Sequence, residues 1–151
     1  MNKKCIMIAC AFFVAVALQA KVSLPAFFSD GMVMQQQSQA SLWGNASKGK
    51  IVEVTTGWDG QTYTTRADEQ GKWKLTVQTP AAGGPYDITF DDGERTRIKD
   101  ILMGELWICS GQSNMEMPMK GFKNQPVEDA NMDVLRSRNS QIRLFTVKRN
   151  S

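Results

Sequence analysis

The feature that most constrains the fold is a recurrent alternation of apolar and polar side chains between residues 51 and 90. In KWKLTV (72–77) the tryptophan, leucine and valine share one face, and the lysines and threonine share the other. A period of two residues is the pattern of a β-strand that buries one face against a core. IVEVTTGW (51–58) and YDITF (86–90) alternate in the same way, and no part of residues 21–100 has a helical period. This region is therefore predicted to be all β.

Short clusters of turn-forming residues separate these segments, at 68–71, 82–85 and 91–93. Their spacing is typical of an antiparallel β-sandwich, here of roughly seven or eight strands. Asp59-Gly60 lies between two segments rich in β-formers. It predicts a hairpin with a two-residue type I′ loop, which needs a positive φ at both positions.

The pattern changes after Asp100. ILMGELWICSG (101–111) is apolar nearly throughout and does not alternate, as in a parallel strand that is buried on both faces. Residues 126–138 favour a helix, because acidic residues fill the first turn and arginines the last. Residues 141–149 again favour a strand, which completes one βαβ unit. Such a unit cannot cover its own strands, so residues 101–151 are predicted to be the incomplete beginning of an α/β domain that follows the sandwich of residues 21–100.

The N-terminal residues 1–20 have the form of a signal peptide. A basic MNKK precedes the apolar CIMIACAFFVAVAL, and the small residue Ala20 suits a signal-peptidase cut. The apolar run is short for a spanning helix, which needs about 20 residues, and too few apolar residues precede Cys10 for a lipoprotein signal. We expect an exported chain, periplasmic or secreted, that begins at Lys21 and is not stably inserted in a membrane.

Composition narrows the possible functions. The net charge is +3 over 151 residues, and Lys3 and Lys4 supply two of these charges, so the composition gives no case for nucleic-acid binding. Export would remove two of the three cysteines and leave Cys109 alone, which excludes an intrachain disulfide. Because Cys109 lies in an apolar run, we expect it to be buried in a core.

Ser113 is the candidate nucleophile, since it follows the predicted buried strand where open α/β sheets place their ligands. Gly111 would allow a tight turn, the N–H of Ser113 could face an oxyanion, and Gln112 and Asn114 would add amide donors near the substrate. The spacing differs from the G-x-S-x-G elbow, because Met115 stands at the last position. A polar turn after a strand remains the alternative interpretation.

Other residues could suggest chemistry but have simpler interpretations. The methionines of MEMPM (115–119) could bind Cu(I), yet loop methionines more often fill gaps in packing. Asp129 and Asp133 lie four residues apart on the predicted helix and are best explained as a solvated face. Trp43, Trp58 and Trp73 of the β-region could stack on sugars, but the alternation places Trp58 and Trp73 on core faces. No metal site is predicted.

Several longer motifs resemble one enzyme family. GELWICSGQSNMEMP (104–118) resembles the nucleophile block of the sialate O-acetylesterases, whose catalytic domain is of the SGNH type of serine hydrolase. The segments LPAFFSDGMVMQQ, SLWGNASKGKIVEV, DEQGKWKLTV and AAGGPYDITF are similar to the N-terminal β-domain of that family.

The resemblance implies a serine esterase that removes O-acetyl groups from sialic acid or related acetylated sugars, with Ser113 as nucleophile and no cofactor. It also implies a catalytic histidine with an acidic partner downstream, but these 151 residues contain no histidine. The chain is therefore expected to be inactive alone, as an N-terminal fragment. The alternative is a β-sandwich module without catalytic activity that binds glycans or scaffolds a partner.

Overall fold

The structure, a computed structural model, describes residues 21–147. The predicted signal peptide, residues 1–20, lies outside this range. The described part contains seven strands and two short helices. These are β1 Val33–Gln35, β2 Gln39–Asn45, β3 Ile51–Thr56, β4 Thr62–Arg66, β5 Lys72–Gln78, β6 Gly83–Asp91, β7 Arg95–Gly104, α1 Ser113–Glu116 and α2 Ala130–Arg136. All strands lie in residues 21–104, which we call the β-domain.

The strands form two sheets. One has five strands in the order β1-β7-β6-β3-β4, and the other pairs β2 with β5. All pairs are antiparallel except β1 and β7, which run parallel with Met34 opposite Met103. The largely antiparallel strands confirm the prediction that this region is all β, whereas the alternation gave no sign of the parallel pair.

Side chains from both sheets share one core. The alternation predicted its inward faces correctly, since Val52, Val54, Ile88 and Phe90 are fully buried. Full burial stabilises a side chain of this kind by about 1.5–3 kcal/mol. Across the core, Trp73 from the two-stranded sheet contacts Phe90, with ring centroids 5.9 Å apart. The core comprises Val22, Met34, Leu42, Val52, Val54, Ala67, Trp73, Val77, Ile88, Phe90, Ile98, Ile101 and Met103.

The hairpin between β3 and β4 forms as predicted, but its loop is longer than two residues. Only Gly60 of the Asp59-Gly60 pair has a positive φ, at 69°. The Asp59 carboxylate instead accepts hydrogen bonds from the Thr56 hydroxyl and from the backbone N–H of Gln61. These side-chain contacts close a wider turn, so the prediction of a type I′ loop was wrong.

The predicted strand over residues 101–111 exists only in part. Strand β7 crosses Asp100, after which a second domain was predicted, and it ends at Gly104. Ile101 and Met103 are buried in the β-domain core, but Leu106, Trp107 and Ile108 are 57%, 81% and 90% exposed. A strand that is apolar on both faces needs partner strands and covering layers. Residues 21–147 supply neither beyond Gly104.

The rest of the predicted βαβ unit is also not formed in the described residues. Helix α2 is shorter than predicted, and of its apolar positions Ala130 is buried whereas Val134 is 54% exposed. Residues 141–147 carry no strand assignment. Cys109 is exposed, so the expectation that it lies in a core was wrong for the same reason, the lack of a covering layer.

Candidate functional site

Ser113 is the first residue of α1, and its side chain is exposed. The helix is a single turn, in which the N–H of Met115 donates to the carbonyl of Gln112 at 2.9 Å. The sequence has no histidine. A serine hydroxyl becomes a strong nucleophile only when a base takes its proton. The described part of the chain therefore presents an accessible serine and no histidine that could activate it.

The residues predicted to support Ser113 surround it in the chain and are exposed where described. Gln112 occupies the N-cap position of α1 with a φ of −107° and makes no side-chain capping bond. Gly111 has no positive φ, so it is not needed for a left-handed turn. A Cβ at Gly111 would lie 2.6 Å from Cγ of Met115, which is a flexible side chain. Asn114 lies within α1, and its side chain is outside the described part of the structure.

A polar cluster fixes the point where the Ser113 segment leaves the β-domain. Nε2 of Gln36 donates to Oε1 of Glu105 at 2.7 Å, and Nε2 of Gln35 donates to Oε2 at 3.1 Å. Oε1 of Gln35 accepts from the N–H of Leu106 at 3.0 Å, and Oε1 of Gln36 accepts from the N–H of Ala82 at 2.8 Å. Each carboxylate oxygen therefore has its own amide donor. We call Gln35, Gln36 and Glu105 the exit clamp.

The exit clamp also changes the titration of its carboxylate. The side-chain hydrogen bonds from Gln36 and Gln35 hold the pKa of Glu105 below its usual value of 4.5. Both bonds favour the charged form. Glu105 therefore stays ionised, and accepts from both amides, well below neutral pH.

A second polar contact, made by Arg143, attaches the chain to the β-domain again after the Ser113 segment. Nη1 of Arg143 donates to the backbone carbonyl of Asp100 at 2.5 Å, and Nη2 donates to its Oδ1 at 3.0 Å. The Arg143 side chain is 22% exposed, although Asp100 is 57% exposed. A Cβ at Gly31 would lie 3.4 Å from Nη1, so the guanidinium lies close against that glycine. We call Asp100 and Arg143 the return anchor.

Aromatic side chains extend the same contact. The ring centroid of Phe145 lies 6.4 Å from that of Phe27, and Phe27 lies 5.3 Å from Trp43. Of the tryptophans weighed as a sugar platform, Trp73 is buried, and half-buried Trp58 donates from Nε1 to the carbonyl of Gln78 at 3.0 Å. Trp43 is 41% exposed, but its ring is packed against phenylalanines.

The remaining candidates do not assemble into a site. Met115 and Met119 are about half exposed, and Asp129 and Asp133 are exposed on and beside α2. Among residues 21–147 no three His, Cys, Asp or Glu side chains lie close enough to hold a metal ion. In that same range no helix is both long and apolar enough to cross a membrane.

Sequence reasoning missed the exit clamp and the return anchor. One signal was present, because Glu105 is the only charged residue in the run 101–111, and a carboxylate in a strand predicted to be buried would need a polar partner. The partner could not be named from the sequence, since Gln35 precedes Glu105 by 70 residues. Parallel pairing of β1 with β7 is what brings them together.

Comparisons with known proteins give a consistent picture, although no family model matches the chain. The chain is 28% identical over 131 residues to a sialate O-acetylesterase of Mus musculus. The match covers 80% of this chain and 24% of the relative. It is 30% identical over 115 residues to the Homo sapiens sialate O-acetylesterase. This match covers 70% of this chain and 22% of the relative.

A solved structure agrees in fold. A carbohydrate acetylesterase from Xanthomonas citri superposes with a TM-score of 0.71 at 32% identity, over 80% of this chain and 26% of that chain. The chain thus spans about a quarter of the length of the curated relatives it matches. The motifs that predicted the family from sequence and these matches agree, and the chain belongs to the sialate O-acetylesterase family.

Proposed function

We propose that this chain carries the nucleophile of an exported O-acetylesterase that acts on acetylated carbohydrates, and that Ser113 is this nucleophile. The observation that carries the proposal is the similarity to proteins named sialate O-acetylesterase and carbohydrate acetylesterase. The exposed position of Ser113 at the start of α1 is compatible with attack on a substrate from solvent. Acetylated sialic acid is the favoured substrate, because the relatives that match carry that name.

The reaction would proceed through an acetyl-enzyme. Oγ of Ser113 attacks the acetyl carbonyl while a general base takes its proton, and the N–H of Ser113 stabilises the oxyanion. The ester C–O bond then breaks, and the sugar hydroxyl leaves with the proton. Water adds to the acetyl-enzyme, and acetate is released as the serine hydroxyl is restored. No cofactor takes part in these steps.

The general base is not among the 151 residues if it is a histidine, because the sequence has none. We therefore propose that the chain by itself is a very poor esterase. Removal of triad members from serine hydrolases leaves only residual catalysis. The base would come from residues outside this sequence.

Acetate release tests the role of Ser113. The protein as its source organism makes it is assayed on O-acetylated sialic acid and on acetylated xylan, with Ser113→Ala compared to Ser140→Ala, a second exposed serine of the same segment. We expect Ser113→Ala to lose at least about 10³-fold in rate and Ser140→Ala to lose little. Unchanged release from Ser113→Ala would refute the proposal. The ratio of the two substrates identifies the preferred sugar.

Export is part of the proposal and has its own test. The N-terminal residue of the protein is determined after recovery from the cell exterior or periplasm. A start at Lys21 would support removal of residues 1–20 as a signal peptide. A start at Met1 in the cytoplasmic fraction would contradict it.

A further inference from the structure

The Ser113 segment has little apolar contact with the β-domain. Between the end of β7 and the return anchor, large side chains such as Trp107, Ile108 and Leu135 are 74% or more exposed. Packing therefore does little to fix where Ser113 lies. Polar contacts at the two ends of residues 106–142 hold the segment instead, one to Asp100 within strand β7 and one at Glu105, just after the strand ends.

The exit clamp is built reciprocally. Each oxygen of the Glu105 carboxylate accepts from a different glutamine, and each glutamine oxygen accepts from a backbone N–H. This arrangement fixes both amide planes as well as the carboxylate. The backbone of Gln35 is itself held, because its carbonyl accepts from the buried hydroxyl of Thr79 at 2.8 Å. The clamp is therefore tied to the core of the β-domain.

The return anchor lies on the same strand. Asp100 lies inside β7, and Glu105 follows directly after the end of β7 at Gly104, so the chain leaves and returns at two points along the same strand. Arg143 binds the backbone and the carboxylate of Asp100 together, and two such bonds fix the orientation of a guanidinium better than one. The two attachments thus define both ends of residues 106–142.

We infer that the exit clamp and the return anchor are positioning residues for Ser113, and that they hold the two ends of its segment at two points along β7. The inference rests on the proposed function of Ser113. Ion pairs and hydrogen bonds that are at least partly exposed contribute little to global stability, so stability alone does not account for two such attachments along one strand. Misplacement of a reacting group by about 1 Å can cost roughly 10²-fold in rate.

Hydrogen exchange tests the attachment without any need for activity. The variants are Glu105→Ala, Glu105→Gln and Arg143→Ala, and the control is Arg97→Ala, which removes an exposed ion pair with Asp87 elsewhere on the sheet. We expect the amides of Leu106 and Ala82 to exchange roughly tenfold faster in Glu105→Ala, as for the loss of an ordinary hydrogen bond. Glu105→Gln should fall between Glu105→Ala and wild type, because an amide oxygen can still accept. Arg143→Ala should speed exchange in residues 140–147, and Arg97→Ala should change neither region.

Kinetics of the protein as its source organism makes it then test positioning. We expect Glu105→Ala and Arg143→Ala to lower kcat roughly 10–100-fold with KM changed less than about threefold, and Glu105→Gln to recover part of the loss. Unchanged exchange in Glu105→Ala, or a kcat equal to that of Arg97→Ala, would overturn the inference. Retained acetate release by Ser113→Ala would instead refute the proposed function, and the positioning role with it. The exchange data would still show separately whether the clamp holds the segment.

Discussion

Replacing Thr79 by valine should destabilise the β-domain without leaving a cavity. Thr79 is 2% exposed, directly after β5. Its hydroxyl accepts from the N–H of Ser38 at 2.9 Å and can donate to the carbonyl of Gln35 at 2.8 Å or of Ser38 at 2.9 Å. Valine has nearly the same shape, so the change removes these bonds and leaves the N–H of Ser38 without its partner.

The expected loss in free energy of unfolding follows from these lost hydrogen bonds. Leaving a buried donor unsatisfied costs about 1–3 kcal/mol, taken here as about 2 kcal/mol. With a urea dependence of about 1.5 kcal/mol per M, the midpoint of unfolding should fall by roughly 1 M with an unchanged slope. Thr79→Ser keeps the hydroxyl and loses one methyl group, at about 0.8 kcal/mol.

Urea unfolding followed by tryptophan fluorescence measures the stability of wild type, Thr79→Val and Thr79→Ser. Thr76→Val, on the exposed face of β5, is the surface control and should stay within about 0.5 kcal/mol of wild type. A Thr79→Val chain as stable as Thr79→Ser would refute the reasoning. The hydroxyl would then contribute nothing net at this position.

Three further outcomes are expected. The protection from hydrogen exchange that Glu105 gives the amides of Leu106 and Ala82 should be complete above its usual pKa of 4.5. It should be lost as the pH falls through the lowered folded-state pKa. Protection of these amides that fades already above about pH 5 would contradict this. Gly44→Ala should lower the Tm by several degrees, because a Cβ would lie 2.5 Å from the carbonyl of Ser23 and 2.9 Å from the ring of Trp73. Gly60→Ala is the comparison, because its Cβ would meet no atom within 4 Å and the change strains only φ. Cys109 should react with iodoacetamide in the native chain, since it is exposed; peptide mapping that finds it labelled only in denaturant would show that it is covered.

The sequence predicted the β-domain well because its strands bury one face each. Alternation reports such a face directly, and in the segments 51–58 and 86–90 its apolar positions include the buried Val54, Ile88 and Phe90. The same logic failed after Gly104. An apolar run indicates burial only if another layer covers it, and no such layer lies among residues 21–147, so Trp107 and Cys109 are exposed.

The candidate site was predictable only in part. Ser113 was identified from a motif, and its exposed position at the start of α1 agrees with that choice without testing it. The exit clamp depends on a pairing between distant strands, which local patterns do not encode. Helix α2 shows the same limit, because Val134 is exposed despite its helical spacing from Ala130.

The parallel pairing of β1 with β7 also bears on how the chain folds during synthesis. The contact between Gln35 and Glu105 spans 70 residues. Strand β2 likewise can pair only after β5 has been synthesised. Contacts of such high sequence separation form slowly, since the cost of closing the loop comes first. β1 must remain unpaired at its β7 edge until Gly104 has left the ribosome. Among residues 21–147, the segment that carries Ser113 is therefore attached only after the β-domain has closed.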